Sequence, residues 1–272
     1  MKIWYYLFLL LFFVNFFAES SVDNNYKIVD AASYHSKNQS FKKFLSWTNE
    51  KQKTAQEILK IVGDKKDSLL DIGAGDGTLT RLLADNFDHV TAIEPSSSLF
   101  ETLKQTCNHD KYTLVNQPFE SVSLEKKFDV ILVSFALQYI PDYAQEIVRM
   151  KDLLKDSGIL LVIEIDQVKS ELDIFHRKYR KDVLGTNSSE AVSLAFGDLL
   201  KKTFNVQEIT FSTRLSIPSV DDAMSIFDFI YDTEFSKMNQ EALVKIEAEL
   251  RKEYADGPLK FNNPDIMYIC SK

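Results

Sequence analysis

Apolar and polar positions along this chain follow two rhythms. Between Ser68 and Ile165, short apolar runs alternate with amphipathic stretches: Ser68 to Ile72, His89 to Glu94, Tyr112 to Asn116, Phe128 to Ser134 and Gly158 to Ile165 are predicted strands. Gly77 to Asn86, Ser96 to Thr106 and Tyr143 to Leu154 are the predicted helices between them. A run such as Val130-Ile131-Leu132-Val133 has no polar face, so both its sides must be covered. That is the condition of a parallel sheet between helices, and it predicts a doubly wound α/β fold. After Asp166 the period becomes helical, over Leu172 to Val183, Ser189 to Thr203, Val220 to Tyr231 and Asn239 to Tyr254, with strands at Val206 to Phe211 and Asp265 to Cys270. Ahead of the first strand, Phe41, Phe44, Leu45, Trp47, Ala55, Ile58, Leu59 and Val62 suit two helices or one bent helix.

The N-terminus is of another kind. Lys2 is followed by an apolar run from Ile3 to Ala18 that ends at Glu19-Ser20-Ser21. It reads as a signal peptide, with a short membrane anchor through residues 3–18 as the alternative, since the run is shorter than the ~20 residues a spanning helix needs. The expected organisation is a leader over 1–18, a linker over 19–39 and one globular domain over 40–272. With Lys2 on one flank and Glu19 and Asp23 on the other, the domain is expected in the secretory pathway, secreted or tethered; a cytoplasmic placement stays open.

The 272 residues carry a net charge of −8 with acidic and basic residues interspersed. No long basic run is present to neutralise a phosphate backbone, which argues against nucleic acid and for a small, neutral or cationic partner. Cys107 and Cys270 lack the number for a disulfide framework and the spacing for a metal, so two free thiols in a monomer are expected.

The chemistry concentrates at Leu69-Leu70-Asp71-Ile72-Gly73-Ala74-Gly75-Asp76-Gly77-Thr78. Glycines at 73, 75 and 77 allow a sharp turn and close approach to a ligand, and the following helix aims its amides at the same place. A dinucleotide-binding loop would have glycine where Thr78 stands, which disfavours a nucleotide-dependent oxidoreductase. Glu94, about twenty residues on at the end of the second strand, is placed to accept hydrogen bonds from ribose hydroxyls. This G-x-G-x-G pattern with Asp71 ahead of it resembles the first motif of class I S-adenosylmethionine-dependent methyltransferases. The resemblance implies a seven-stranded, mostly parallel, Rossmann-like sheet with a cofactor half over 68–165. Substrate-side insertions over 166–262, together with extra N-terminal and C-terminal helices, would form a substrate wall. The cofactor is expected to be S-adenosyl-L-methionine, held by Asp71, Gly73, Ala74, Gly75, Gly77, Glu94, Gln117 and Ser134.

Three further stretches, Ser40 to Gln52, Glu94-Pro95-Ser96 and Leu259-Lys260-Phe261-Asn262-Asn263, resemble the histamine N-methyltransferases. That similarity implies that Glu50 and Asn263 engage and orient a small amine. It also sets Phe135, Gln138 and Tyr139 on the loop after the fourth strand against the substrate, and Leu172 and His176 where the family has tryptophans. Tyr139, Phe175, Tyr179 and Phe196 are expected to keep the wall aromatic. Methyl transfer to nitrogen needs a neutral lone pair in line with the sulfonium carbon, a demand that a carboxylate and an amide gripping a basic molecule can meet. An oxygen, carboxylate or sulfur acceptor, and a non-catalytic cofactor-binding module, are the alternatives.

Overall fold

The computed structural model describes residues 39–185, 192–231, 234–255 and 257–272. The predicted leader lies outside the described residues, as does the linker up to position 38; among the described residues no helix is long and apolar enough to cross a membrane.

Two helices, α1 (Gln39–Trp47) and α2 (Glu50–Val62), precede the sheet. The alternating region then runs β1 (Lys66–Ile72), α3 (Thr78–Leu83), β2 (Phe87–Ile93), α4 (Ser97–Thr106), β3 (Tyr112–Val115), β4 (Phe128–Ser134), α5 (Tyr143–Leu153) and β5 (Leu154–Ile165). The C-terminal part is α6 (Glu171–Leu184), α7 (Val192–Thr203), β6 (Asn205–Ile217), α8 (Val220–Met224), α9 (Phe227–Ile230), α10 (Gln240–Tyr254) and β7 (Leu259–Ser271). Seven strands form one sheet in the order β3-β2-β1-β4-β5-β7-β6. The first five are parallel and β7 runs antiparallel to both its neighbours, so the sheet is the predicted seven-stranded α/β arrangement.

Burial explains the strand composition. Val130 to Val133 are at most 1% exposed because α2 and α3 cover one face and α5 and α7 the other. On the first face Ala55, Ile58, Leu79 and Leu83 pack on Leu69, Val130 and Leu161. On the second, Ile147, Met150, Phe196 and Leu200 pack on Leu70, Ile131 and Leu160. Each fully buried aliphatic side chain contributes roughly 1.5–3 kcal/mol.

The chain leaves β1 outward to β2 and β3, then crosses back to β4 on the other side of β1. That reversal opens a crevice beyond the strand ends between β1 and β4, where ligands of open α/β sheets bind. A separate apolar cluster roofs it: Phe44 of α1, Tyr179 and Val183 of α6, Phe227 of α9, Leu243 and Ile246 of α10, and Leu215 and Phe261 from the far ends of β6 and β7.

The C-terminal part departs from the sequence expectations in two ways. β6 and β7 are far longer than predicted and pair from Asn205↔Ser271 to Ile217↔Leu259. Much of β6 is exposed and polar; Val206, Ile209 and Phe211 are only partly buried against the sheet core, and Leu215 and Ile217 turn to the roof. Asn263-Pro264, ahead of the strand predicted from Asp265, is therefore strand as well, and the Pro264 carbonyl accepts from Asp166 N. The single helix expected over Val220 to Tyr231 is broken at Ser225 and Ile226, where the Ser225 hydroxyl donates back to Asp222 O at 2.8 Å. The start of the helix predicted at Ser189 lies outside the described residues.

Candidate active site

The loop after β1 is shaped by its own backbone. Gly73 N and Ala74 N both donate to Ile93 O at the end of β2, at 2.9 and 3.0 Å, which folds the loop over the sheet edge. Gly73 has φ +76° and a Cβ there would stand 2.5 Å from Ala136 Cβ; at Gly77, φ +79°, it would stand 2.6 Å from Leu103 Cδ1. These two glycines are demanded by the protein's own packing. Gly75, φ +60°, faces open space and lines the cavity, so it is the glycine beside a ligand. Gly77 does not line the cavity among the described residues, and α3 has only six residues; the sequence reading gave the following helix a larger part than it has.

Glu94 braces this loop from β2. One carboxylate oxygen accepts from Gly75 N at 2.8 Å and the other from Ser96 N at 2.7 Å. Each keeps lone-pair capacity for a further donor. Burial pushes its carboxyl up, against the pull of those two amides. Asp71, 2% exposed, is pushed up to about 6 by burial, opposed by the Thr80 hydroxyl that donates to it at 2.6 Å and by Lys51. Behind Glu94, the Asn116 amide donates to Glu94 O at 2.8 Å; predicted as the last residue of the third strand, it falls just past the end of β3.

These groups border a cavity of about 450 Å³ at the β1/β4 crevice, within the range of small-molecule sites. Asp71, Gly73, Ala74, Gly75 and Glu94 line one end. Gln117, predicted to meet the cofactor, is exposed and off the wall, while Pro118, Phe119 and Glu120 are on it. The loop after β3 turns at Pro118, so Gln117 is left on its outer side.

Ser134 closes β4 on the cavity wall, and its buried hydroxyl has no hydrogen-bond partner among the described residues. Phe135 follows with φ +54°, a conformation a bulky side chain adopts only when its surroundings enforce it. Its N–H donates to Ile163 O at 2.9 Å, and the Lys51 ammonium sits 5.2 Å from its ring centroid. Phe135, Gln138 and Tyr139 all line the cavity, as does Glu50. Gln138 is exposed and donates to Phe135 O at 3.1 Å.

Glu50, 8% exposed, holds the Lys51 ammonium at 3.1 Å. Burial works against the charge on Lys51, but Glu50, with Asp76 and Asp71 beyond it, outweighs burial and raises its pKa. Asn263 has a different place from the one expected. It is buried but off the cavity wall, and its Oδ1 accepts from Ser170 Oγ and Leu172 N, both at 3.2 Å. It fixes the start of α6, the helix that brings Leu172, Asp173 and His176 to the cavity. Burial, helped by Arg180 and Arg177, lowers His176 to about 4, and its Nε2 lies 3.1 Å from the Arg180 guanidinium; its ring is neutral.

Of the expected aromatic wall only Tyr139 is in place. Phe175 and Tyr179 pack in the roof and Phe196 lies under the sheet. Phe41, Phe44 and Phe229 line the cavity instead, and Phe229 stacks tilted on both α1 rings at 5.4 and 5.0 Å. Glu164 near the end of β5 and Asp173 on α6 also line it; neither belongs to a motif, since one lies within an ordinary apolar strand and the other opens an ordinary helix.

The sheet order and crevice are those of the Rossmann-like methyltransferase fold. The chain belongs to the methyltransferase domain family, whose profile matches residues 45–192. A malonyl-[acyl-carrier protein] O-methyltransferase from Priestia megaterium is 31% identical over 96 residues, covering 35% of each chain. A methyltransferase of Dictyostelium discoideum is 28% identical over 233 residues, covering 77% of this chain and 84% of its own. Matches to the first curated relatives span 35% to 59% of those proteins' lengths. Among solved structures, a methyltransferase from Bacillus halodurans superposes with TM-score 0.56 at 16% identity, covering 79% of this chain and 96% of that one.

The cofactor is S-adenosylmethionine, and the residues present fit it. Gly75 leaves open space where a side chain would intrude, Glu94 has acceptor capacity to spare, and the orphaned Ser134 hydroxyl faces the same cavity. Asp71 and Glu94 would hold its polar groups, and its sulfonium supplies an activated methyl group.

Proposed function

We propose that this methyltransferase acts on a nitrogen of a small amine. The observation that carries the reading is the set of carboxyl groups in the cavity beyond Ser134. Glu50, Glu164 and Asp173 stand on its wall; its ammonium, Lys51, is already ion-paired with Glu50, His176 is neutral, and burial keeps Glu164 in the acid form until a cation arrives to stabilise its carboxylate. Such a wall favours a cationic or basic molecule, which stabilises ionised carboxyls, over a carboxylate, which does not. The rings of Phe41, Phe44, Phe135, Tyr139 and Phe229 add an apolar and cation-accepting surface. The resemblance of Ser40 to Gln52 to the histamine N-methyltransferases supports the same class of acceptor.

In this reading the protein's own contribution is placement. Phe135, held in its unusual backbone by Ile163 O, sets the wall beside Ser134. Glu50 orients the amine, and α1 and α9 exclude water from the reacting nitrogen. Asn263 acts through α6. Positioning of this kind supplies most of the acceleration when the leaving group is already activated.

A second reading, methylation of a carboxylate oxygen, is favoured by one feature, Lys51 on the wall, and by the O-methyltransferase activity named for the Priestia relative. Turnover of methyl-labelled S-adenosylmethionine with 2-phenylethylamine and with phenylacetate, two acceptors alike in shape and opposite in charge, separates them. The amine reading expects label in the amine; label in the acid alone rejects it.

A further inference from the structure

Glu164 is a buried carboxyl without a structural purpose. It is 6% exposed, stands near the end of β5 on the cavity wall, and its Oε1 has no hydrogen-bond partner among the described residues. A carboxyl buried alone costs stability, and the sheet does not use it, since its neighbours in β5 and its partner Ile266 in β7 are apolar. The charged and titratable groups that act on it are Asp265 and Tyr268 from β7, and Glu50 and Lys51 from α2 and Asp173 and His176 from α6 line the same cavity. None of these donates a hydrogen bond to its Oε1.

We propose that Glu164 is the proton acceptor of the acceptor site: it holds a protonated small amine by its N–H and takes that proton before methylation. The proposal rests on the amine reading above and assigns the basic step to a residue distinct from Glu50. The N–H bond breaks with its electron pair left on nitrogen, and the proton goes to Glu164. That pair then forms the bond to the methyl carbon as the carbon–sulfur bond breaks, its pair remaining on sulfur. When the methylated ammonium leaves, Glu164 keeps that proton and is again the acid of the free protein, so the one proton released per turnover is the one expelled on binding. Burial alone pushes Glu164 up to about 8, so at neutral pH the free protein carries it as the acid. An arriving ammonium stabilises the carboxylate and expels that first proton.

The test is Glu164→Gln in the full chain, with S-adenosylhomocysteine affinity as the check on folding. Wild-type kcat/KM for 2-phenylethylamine should follow a bell-shaped pH profile. The variant should lose about a hundredfold at pH 7 and recover to within about tenfold by pH 10, where the amine arrives neutral, while Glu164→Asp restores part of the loss. Calorimetry on the S-adenosylhomocysteine complex should show at least tenfold weaker amine binding by Glu164→Gln at pH 7. An unchanged rate, profile and affinity in Glu164→Gln would overturn the proposal and leave the amine reading standing. Wild-type protein that neither binds nor methylates the amine, or that methylates phenylacetate alone, would overturn both.

Discussion

At the cofactor end of the cavity the wall comes from residues between Asp71 and Glu94, close in sequence, with Ser134 beside them. At the acceptor end it comes from Glu50, Glu164, Asp173 and Phe229, carried by elements that meet only in the folded chain. The first end is defined by backbone geometry and tolerates little change. The second is defined by side-chain charge hung on a common scaffold, which is how one fold serves many acceptors. The difference predicts that substitutions at the first end act on folding and cofactor affinity, and those at the second on acceptor choice.

The largest effect is expected from Gly73→Ala. A left-handed backbone costs a side chain roughly 1–2 kcal/mol, and the 2.5 Å approach to Ala136 Cβ adds overpacking of roughly 1–3 kcal/mol. Gly75→Ala has the backbone term alone, because its surroundings are open. Urea unfolding should show Gly73→Ala the worse, and S-adenosylhomocysteine titration of the folded variants should show Gly75→Ala the worse. Equal damage at the two sites would break the distinction between a packed and a ligand-facing glycine.

Glu50→Gln sharpens the other side of the comparison. It frees the Lys51 ammonium, and the ratio of phenylacetate to 2-phenylethylamine turnover should rise about tenfold or more with cofactor affinity unchanged. A constant ratio would remove Glu50 from acceptor selection.

The buried carboxyls also predict a pH dependence of stability. Burial raises Glu164 to about 8 and raises Asp265, whose neighbour Glu50 adds to the effect. A raised carboxyl contributes stability below its unfolded value and loses it as pH climbs through the folded one. Neutral His176, lowered to about 4, acts oppositely but only below about 6.5. Between pH 6.5 and 8.5 the carboxyls therefore dominate, and unfolding free energy should fall by up to about 1.4 kcal/mol per pH unit for each. Glu164→Gln should flatten the decline; an unchanged slope would mean that Glu164 is solvated.

Asn263→Ala is the smallest change expected. Losing two hydrogen bonds at the start of α6 should cost about 1–2 kcal/mol in urea unfolding and raise the KM of the acceptor, leaving cofactor affinity intact.

The same contrast governs what could be read before folding. The five parallel strands and the loop at Asp71 to Gly77 were legible because two-sided burial and a left-handed turn each restrict residue type over a short span. The full length of β6 was not, since its outer face is polar, and Asn263 fell ahead of the predicted strand because its partner Thr213 lies about fifty positions away. Glu164 and Asp173 left no pattern at all, because a single carboxyl gains meaning from the cavity it faces. Glu50 was found through family resemblance and does face that cavity; Gln117 and Gly77, chosen by position along the chain, do not.

The central claim is that an acidic wall opposite the cofactor selects a basic acceptor. A crystal structure with S-adenosylhomocysteine grown once with 2-phenylethylamine and once with phenylacetate tests it most directly. The account predicts the amine in the cavity with its nitrogen toward Glu164 and Glu50, and no bound acid. Phenylacetate seated on Lys51, with the amine absent, would contradict it.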